Sequence, residues 1–246
     1  MILGHTSRSW HKLARTSVEF VEFPAKGLCE RMKSMNKEIK SYTHVALILD
    51  ASGSMADMRN ATIRTMKEFF TALMSPEDKT IVDLWQFDEC VRHLLDSVDI
   101  NSGMSSAIEN YTIGGCTALY DAICIGIDSL GAKFEQMKEE NRPDAVVFAI
   151  LTDGFENASQ NFNLNDVKQR IEHQAQKYSW TFRFLAANQD AVLTGNKMGL
   201  DFASCETIEA SGAGIKRSVK KMASFCRTDV RMRARECRKA KFSVWR

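Results

Sequence analysis

The chain has no apolar run that could cross a bilayer. Residues 145–151 form one of its longest, against the roughly 20 residues that a spanning helix needs. Its first residues carry Arg8, Lys12, Arg15, Glu19 and Glu22 where a secretory leader would have an uninterrupted apolar stretch and a small-residue cleavage site. Cys-x-x-Cys pairs are absent as well: the seven cysteines are odd in number and scattered from Cys29 to Cys237. This spacing argues against a disulfide framework or a structural zinc and for reduced, mostly buried thiols. A cytoplasmic protein with no membrane partner is the expectation.

What is present is an ordinary globular composition, 44% hydrophobic and 26% charged over 246 residues, enough for one large core plus extensions. The net charge of +2 hides an uneven distribution. Residues 1–41 carry eight Lys/Arg against four Asp/Glu, and residues 216–246 carry twelve against two, so the middle of the chain is strongly acidic. We divide the chain into a poorly patterned N-terminal extension (1–41), a principal domain (42–226) and a basic C-terminal tail (227–246). The extension holds a short strand-like run at 18–23 and a polar, helix-like stretch at 28–40, and Met35 offers an alternative start close to the domain. From 228 onward, apolar residues are too few to bury a face, which predicts a solvated tail. Contact with nucleic acid, an anionic surface or the domain's own acidic body is the sharper alternative.

Within the domain, five apolar residues from Val45 to Leu49 run unbroken and stop at Asp50, the pattern of a strand buried on both faces of a parallel sheet. Ile63, Met66, Phe70 and Leu73 recur at helical spacing over residues 58–74, and Ser75-Pro76 ends that helix. Strands at 80–87 and 91–100 are joined by only Asp88-Glu89-Cys90, which predicts an antiparallel pair. Gly114-Gly115-Cys116-Thr117 then opens a long helix with Leu119, Ile123, Ile127, Leu130, Phe134 and Met137 on its buried stripe. A second unbroken strand at 145–151 ends in Thr152-Asp153-Gly154. A helix at 163–178 with an Asn cap, a strand at 180–187, a short helix at 190–198 closed by Gly199, a strand at 203–208 and a helix at 211–226 complete the order. Alternation of this kind predicts a doubly wound α/β fold, a mostly parallel sheet with one antiparallel edge strand and helices on both faces.

In such a sheet, ligands sit beyond the carboxyl ends of the strands. Three loops are candidates to meet there: Asp50-Ala51-Ser52-Gly53-Ser54, Gly114-Gly115-Cys116-Thr117 and Thr152-Asp153-Gly154. Their carboxylates and hydroxyls are hard oxygen donors suited to Mg²⁺, Mn²⁺ or Ca²⁺, and they include no convincing histidine or thiolate ligand for zinc.

Asp-x-Ser-x-Ser at Asp50, Ser52 and Ser54, the segment Gly-Cys-Thr-Ala-Leu-Tyr-Asp-Ala carrying Thr117, and Leu-Thr-Asp-Gly carrying Asp153 resemble the von Willebrand factor A (vWA) domain over residues 42–226. The resemblance implies a metal-ion-dependent adhesion site (MIDAS) in which Ser52, Ser54 and Thr117 ligate Mg²⁺ through hydroxyls. Asp50 and Asp153 would act directly or through water. It further implies a protein partner whose Asp or Glu carboxylate completes the metal shell, and a non-enzymatic role. Intracellular relatives of bacterial and phage type commonly serve as adaptors, often with AAA-type ATPases, in stress or defence systems.

The same residues allow blander roles. Asp50 and the serines could cap the following helix, and Asp153 a turn. Asp121 reads as a first-turn acid favouring the helix dipole, Glu156 as surface, Cys116 as a packing residue, and His44, His93 and His173 as ordinary polar positions. A metal-dependent phosphoester hydrolase is the alternative from another class. It lacks a Walker-type loop, an Asp-x-Asp nucleophile pair and a general base near these loops. A nucleic-acid-associated adaptor acting through the basic tail is a third reading.

Overall fold

The computed structural model describes residues 39–102, 106–187 and 190–243. The expectations for residues 18–23 and for most of 28–40 lie outside this range. Among the described residues six strands form one sheet: β1 (Ser41–Asp50), β2 (Asp78–Phe87), β3 (Val91–Asp99), β4 (Ala145–Thr152), β5 (Thr181–Ala186) and β6 (Cys205–Thr207). Their spatial order is β3-β2-β1-β4-β5-β6, every pairing is parallel except β2 with β3, and β3 is the antiparallel edge strand. The three-residue link Asp88-Glu89-Cys90 is too short for a crossover, which is why β3 folds back beside β2.

All ten residues of β1 are buried, because helices cover both faces of the sheet. Helices α1 (Arg59–Leu73) and α5 (Gly212–Phe225) lie on one face. Their Met66, Phe69, Phe70, Ile215, Val219 and Met222 pack on Val45, Leu47 and Leu49. On the other face, α2 (Leu119–Glu135) and α3 (Leu164–Tyr178) set Ile123, Ile127, Leu130, Phe134, Val167 and Ile171 against Ala46, Ile48, Phe148 and Ile150. The odd–even alternation along β1 thus divides its side chains between two separate cores. Helix α3 begins with a reciprocal capping box between Asn163 and Asp166, as its Asn signal predicts. A short helix α4 (Ala191–Lys197) precedes β6, which is only three residues long because residues 202–204 form a 3-10 turn in place of the expected longer strand. Among the described residues no helix is long and apolar enough to cross a membrane.

The expectation of a solvated basic tail is corrected. A π-helical turn (Cys226–Val230) carries α5 into α6 (Arg231–Ser243), which packs along the amino-terminal ends of β1 and β4. Val230 and Ala234 are buried beneath it. Arg235 forms a two-pronged pair with Asp78, Nε to Oδ1 at 3.0 Å and Nη2 to Oδ2 at 2.7 Å, and Arg231 lies 3.3 Å from the same carboxylate. Arg238 and Lys241 each reach Asp144 at 3.1 Å. The side chains of Asp78 and Asp144 are 1% and 0% exposed, so these are charges withdrawn from water, and such charges require opposite charges at close range. The helix was invisible to apolar periodicity because its buried face is written in arginine: positions 231, 235 and 238 recur at helical spacing, on a chain whose own body supplies the carboxylates.

Candidate metal centre

Strand order reverses between β1 and β4, from which α1 and α3 depart to opposite faces, and the three candidate loops open at that switch point. Asp50 closes β1 with its side chain buried. Its Oδ1 accepts from the Ser52 backbone N–H at 2.7 Å, an Asx turn that swings the chain off the sheet, and its Oδ2 accepts from Thr152 Oγ1 at 2.5 Å. The Tyr111 hydroxyl donates to the Asp50 carbonyl.

Backbone hydrogen bonds sew the first and second loops together: Gly53 N–H to the Gly115 carbonyl at 3.1 Å, and Gly114 N–H to the Ala51 carbonyl at 2.9 Å. Gly115 adopts φ +72°, a left-handed conformation that suits glycine. Ser52 Oγ lies 3.2 Å from Ser54 Oγ, which donates to Asp153 Oδ1 at 2.6 Å and so joins the first loop to the third. Thr117 is buried, its N–H bonded to Asn157 Oδ1 at 2.8 Å and its carbonyl accepting from Asn157 N–H at 3.1 Å. A Cβ on Gly154 would stand 2.9 Å from Thr117 Oγ1 and 3.7 Å from Asp50 Oδ2, so glycine lets the third loop pass this close. All five predicted residues, Asp50, Ser52, Ser54, Thr117 and Asp153, are therefore neighbours.

Several supporting residues escaped the sequence reading. Asp121 does more than favour a dipole. Its buried carboxylate accepts from the backbone N–H groups of Gln160, Asn161 and Phe162, at distances between 2.9 and 3.3 Å, and from the Asn161 amide. Glu156, expected at the surface, instead caps α2 by accepting from Tyr120 N–H at 2.9 Å, and it also takes the N–H groups of Ala158 and Ser159. Nothing in a local window of sequence marks these contacts, nor those of Asn157 and Thr152, since most of the partners lie some 40 to 100 residues away. Cys116 is exposed rather than packed, and the neighbouring Glu89 carboxylate holds its thiol in the protonated form, pushing its pKa up.

Burial pushes the pKa of Asp50 up, although hydrogen bonds from Ser52 and Thr152 work the other way. Burial also raises Asp153, the negative charge of Asp50 adds to the shift, and Ser54 opposes it. Two adjacent, repelling carboxylates beside three hydroxyls are a donor set that fits a hard divalent cation, whose charge would relieve the repulsion. A second cluster, Asp83, His93 and Asp96, also brings three potential ligand atoms together. Its centre is taken by the chain's own cation: Lys133 Nζ lies 3.1 Å from Asp83 Oδ1, 2.7 Å from Asp96 Oδ1 and 2.6 Å from Ser97 Oγ. His44 and His93, read as ordinary polar positions, both meet Asp83, at 2.7 Å, and are joined through that one carboxylate. Burial disfavours the Asp83 charge, but the two histidines and Lys133 outweigh it and hold that carboxyl well below the usual range.

No protein-family model and no curated protein sequence matches the chain. Solved structures do match its fold. With the mussel byssus proximal thread matrix protein 1, described with a zinc-occupied MIDAS motif, it shares a TM-score of 0.57 at 15% identity, over 77% of this chain and 47% of that one. With a von Willebrand factor type A protein of Catenulispora acidiphila the values are 0.54 and 15%, over 74% and 42%. With the vWF domain of the type V pilus tip protein Mfa5 of Porphyromonas gingivalis they are 0.53 and 10%, over 76% and 95%. The chain thus has a doubly wound α/β architecture, and within that class its fold is that of the vWA domain. It spans less than two thirds of several of these neighbours, including 63% of the PilB minor pilin of Streptococcus sanguinis.

Proposed function

We propose that this protein is a metal-dependent protein-interaction module, with Asp50, Ser52, Ser54, Thr117 and Asp153 holding Mg²⁺ and a partner's Asp or Glu carboxylate completing the ion's shell. The observation that carries this reading is the hydrogen bond from Ser54 Oγ to Asp153 Oδ1 at 2.6 Å, which brings the first and third loops to one point beside Thr117. When bound, the ion would supply an electrophilic point that recognises carboxylate oxygen. The chain's own residues do the rest. Neutral hydroxyls would leave much of the ion's charge unbalanced, the Asx turn at Asp50 and the Asn157 clamp on Thr117 fix the donors, and Asp121 and Glu156 hold the third loop against α2.

Mg²⁺ is favoured by the all-oxygen set, with Mn²⁺ or Ca²⁺ as substitutes. The byssus protein of similar fold is described with zinc in its MIDAS, which supports a divalent ion at this site. The role is that of an adaptor; a non-enzymatic role is in keeping with neighbours described as a minor pilin and a byssus matrix protein. An intracellular setting suits the seven scattered cysteines, of which the six among the described residues are free thiols. Nucleic-acid binding through the basic C-terminus is disfavoured because Arg231, Arg235, Arg238 and Lys241 are engaged with Asp78 and Asp144.

The test is partner recovery on immobilised protein in Mg²⁺ and in EDTA, repeated with Asp50→Ala and Thr117→Ala. Recovery that depends on Mg²⁺ and is lost in both variants is expected. Equal recovery in all conditions sinks the metal-bridged reading.

A further inference from the structure

Phe155 follows the Asp153-Gly154 pair directly and is 62% exposed, although a phenylalanine gains by leaving water. Its exposure does not come from a loose loop. Gly154 on one side packs against Thr117 and Asp50. On the other, Glu156 is anchored to Tyr120, Ala158 and Ser159, and Asn157 to both backbone groups of Thr117. The fold therefore presents the ring outward from a braced segment. A Cβ on Gly154 would stand 2.9 Å from the Thr117 hydroxyl, and the next Cα is about 3.8 Å along the chain, so the Phe155 Cα lies within roughly 8 Å of that hydroxyl.

We infer that Phe155 is the apolar half of a two-point recognition surface, and that the partner presents a carboxylate with an aliphatic or aromatic side chain one or two residues away in an extended segment. Resting on the metal-bridged reading above, this inference adds the specificity that a cation alone cannot supply. A divalent ion accepts any exposed Asp or Glu, and surface carboxylates are common. An adjacent rigid aromatic discriminates among them by excluding water over the contact. Charge sets the division of labour: the cation takes the acid, and the uncharged ring, with no cationic group needed, takes its apolar neighbour. An extended segment fits because residues one or two apart along it are separated by about 3.4 to 7 Å, within reach of an ion and a ring on adjoining loops.

The test is selection of random peptides displayed on phage, bound in Mn²⁺ and eluted with EDTA, after Mn²⁺ binding by the protein has been established by titration. Selection on the wild-type protein is expected to enrich peptides with Asp or Glu and an apolar residue within two positions. On Phe155→Ser, acidic peptides are still enriched and still eluted by EDTA, but the apolar preference disappears, and the best wild-type peptide binds about tenfold more weakly, equivalent to 1.4 kcal/mol. Phe155→Leu keeps most of that affinity. Phe202→Ser removes a 73% exposed ring in the 3-10 turn before the short edge strand and serves as the control, with no change expected. An acidic consensus with no apolar neighbour overturns the role of Phe155 and leaves the metal reading standing, as does an apolar preference that persists in Phe155→Ser. A failure to enrich any EDTA-eluted acidic peptide, despite Mn²⁺ binding, overturns both.

Discussion

Buried carboxylates stand at both ends of this sheet, and the two ends treat them differently. At the amino-terminal end, Asp78 and Asp144 are each met by two cationic side chains of α6, and the hydroxyls of Ser41 and Ser75 and the Tyr42 N–H add to the set. Burial alone would raise Asp78, but Arg235, the serines and Arg231 outweigh it and hold its carboxyl below the usual range. At the carboxyl-terminal end, Asp50 and Asp153 are raised, by burial in both and by mutual repulsion at Asp153. One end is neutralised by the chain itself and is structural. The other carries charge that an external cation would neutralise, and there the fold places its loops. The difference teaches that a buried acid becomes informative about function when its compensation is compared with that of its counterparts in the same molecule.

The comparison is broken most forcefully at the neutralised end. Asp78→Asn leaves Arg231, 16% exposed, and the half-exposed Arg235 facing an amide, and should cost about 3 kcal/mol. Chemical denaturation is the measurement, and hydrogen exchange should show α6 opening first. At the other end the large effect comes from adding charge rather than removing it. Mg²⁺ at about 100 times its dissociation constant should stabilise the wild-type protein by about 2.7 kcal/mol, a rise of roughly 5–10 °C in Tm for a domain of this size. The rise should be absent in Asp50→Ala.

Smaller effects sharpen the contrast. In metal-free protein, Asp153→Asn removes a repelling charge and should be neutral or stabilising by about 1 kcal/mol, opposite in sign to Asp78→Asn at the other end. A drop in stability of 2 kcal/mol or more in EDTA would erase the distinction between the ends. The smallest effect is the pH dependence of Asp78. Its folded pKa is depressed, so its contribution is present above the ordinary carboxylate value of 3.8 and is lost as pH falls through the folded value. The loss of stability on acidification below about pH 4 should shrink in an Arg231→Met, Arg235→Met double variant, read by denaturation across pH.

The same contrast explains what could be read from the sequence. β1, β4 and their terminal Asp50 and Asp153 are continuous apolar runs ending in a carboxylate, a local pattern, and the short link after β2 forces β3 to turn back. Thr117 is legible because it opens a strongly periodic helix. The α6 latch is not, because its periodicity lies in arginines whose partners at 78 and 144 are distant in the chain. The braces Asp121, Glu156 and Asn157, and the meeting of His44 and His93 at Asp83, depend on strand register and loop packing, which bring together residues that no local window contains.

Titration of the metal-free protein with Mn²⁺, followed by calorimetry or by the electron paramagnetic resonance of free ion, asks whether Asp50 and Thr117 hold a cation. One ion per chain is expected, released by EDTA, with affinity reduced at least about a hundredfold in Asp50→Ala and in Thr117→Ala. His93→Ala, in the Lys133-filled cluster, should leave binding intact. Binding that survives Asp50→Ala and disappears with His93→Ala would contradict a metal site at Asp50 and Thr117.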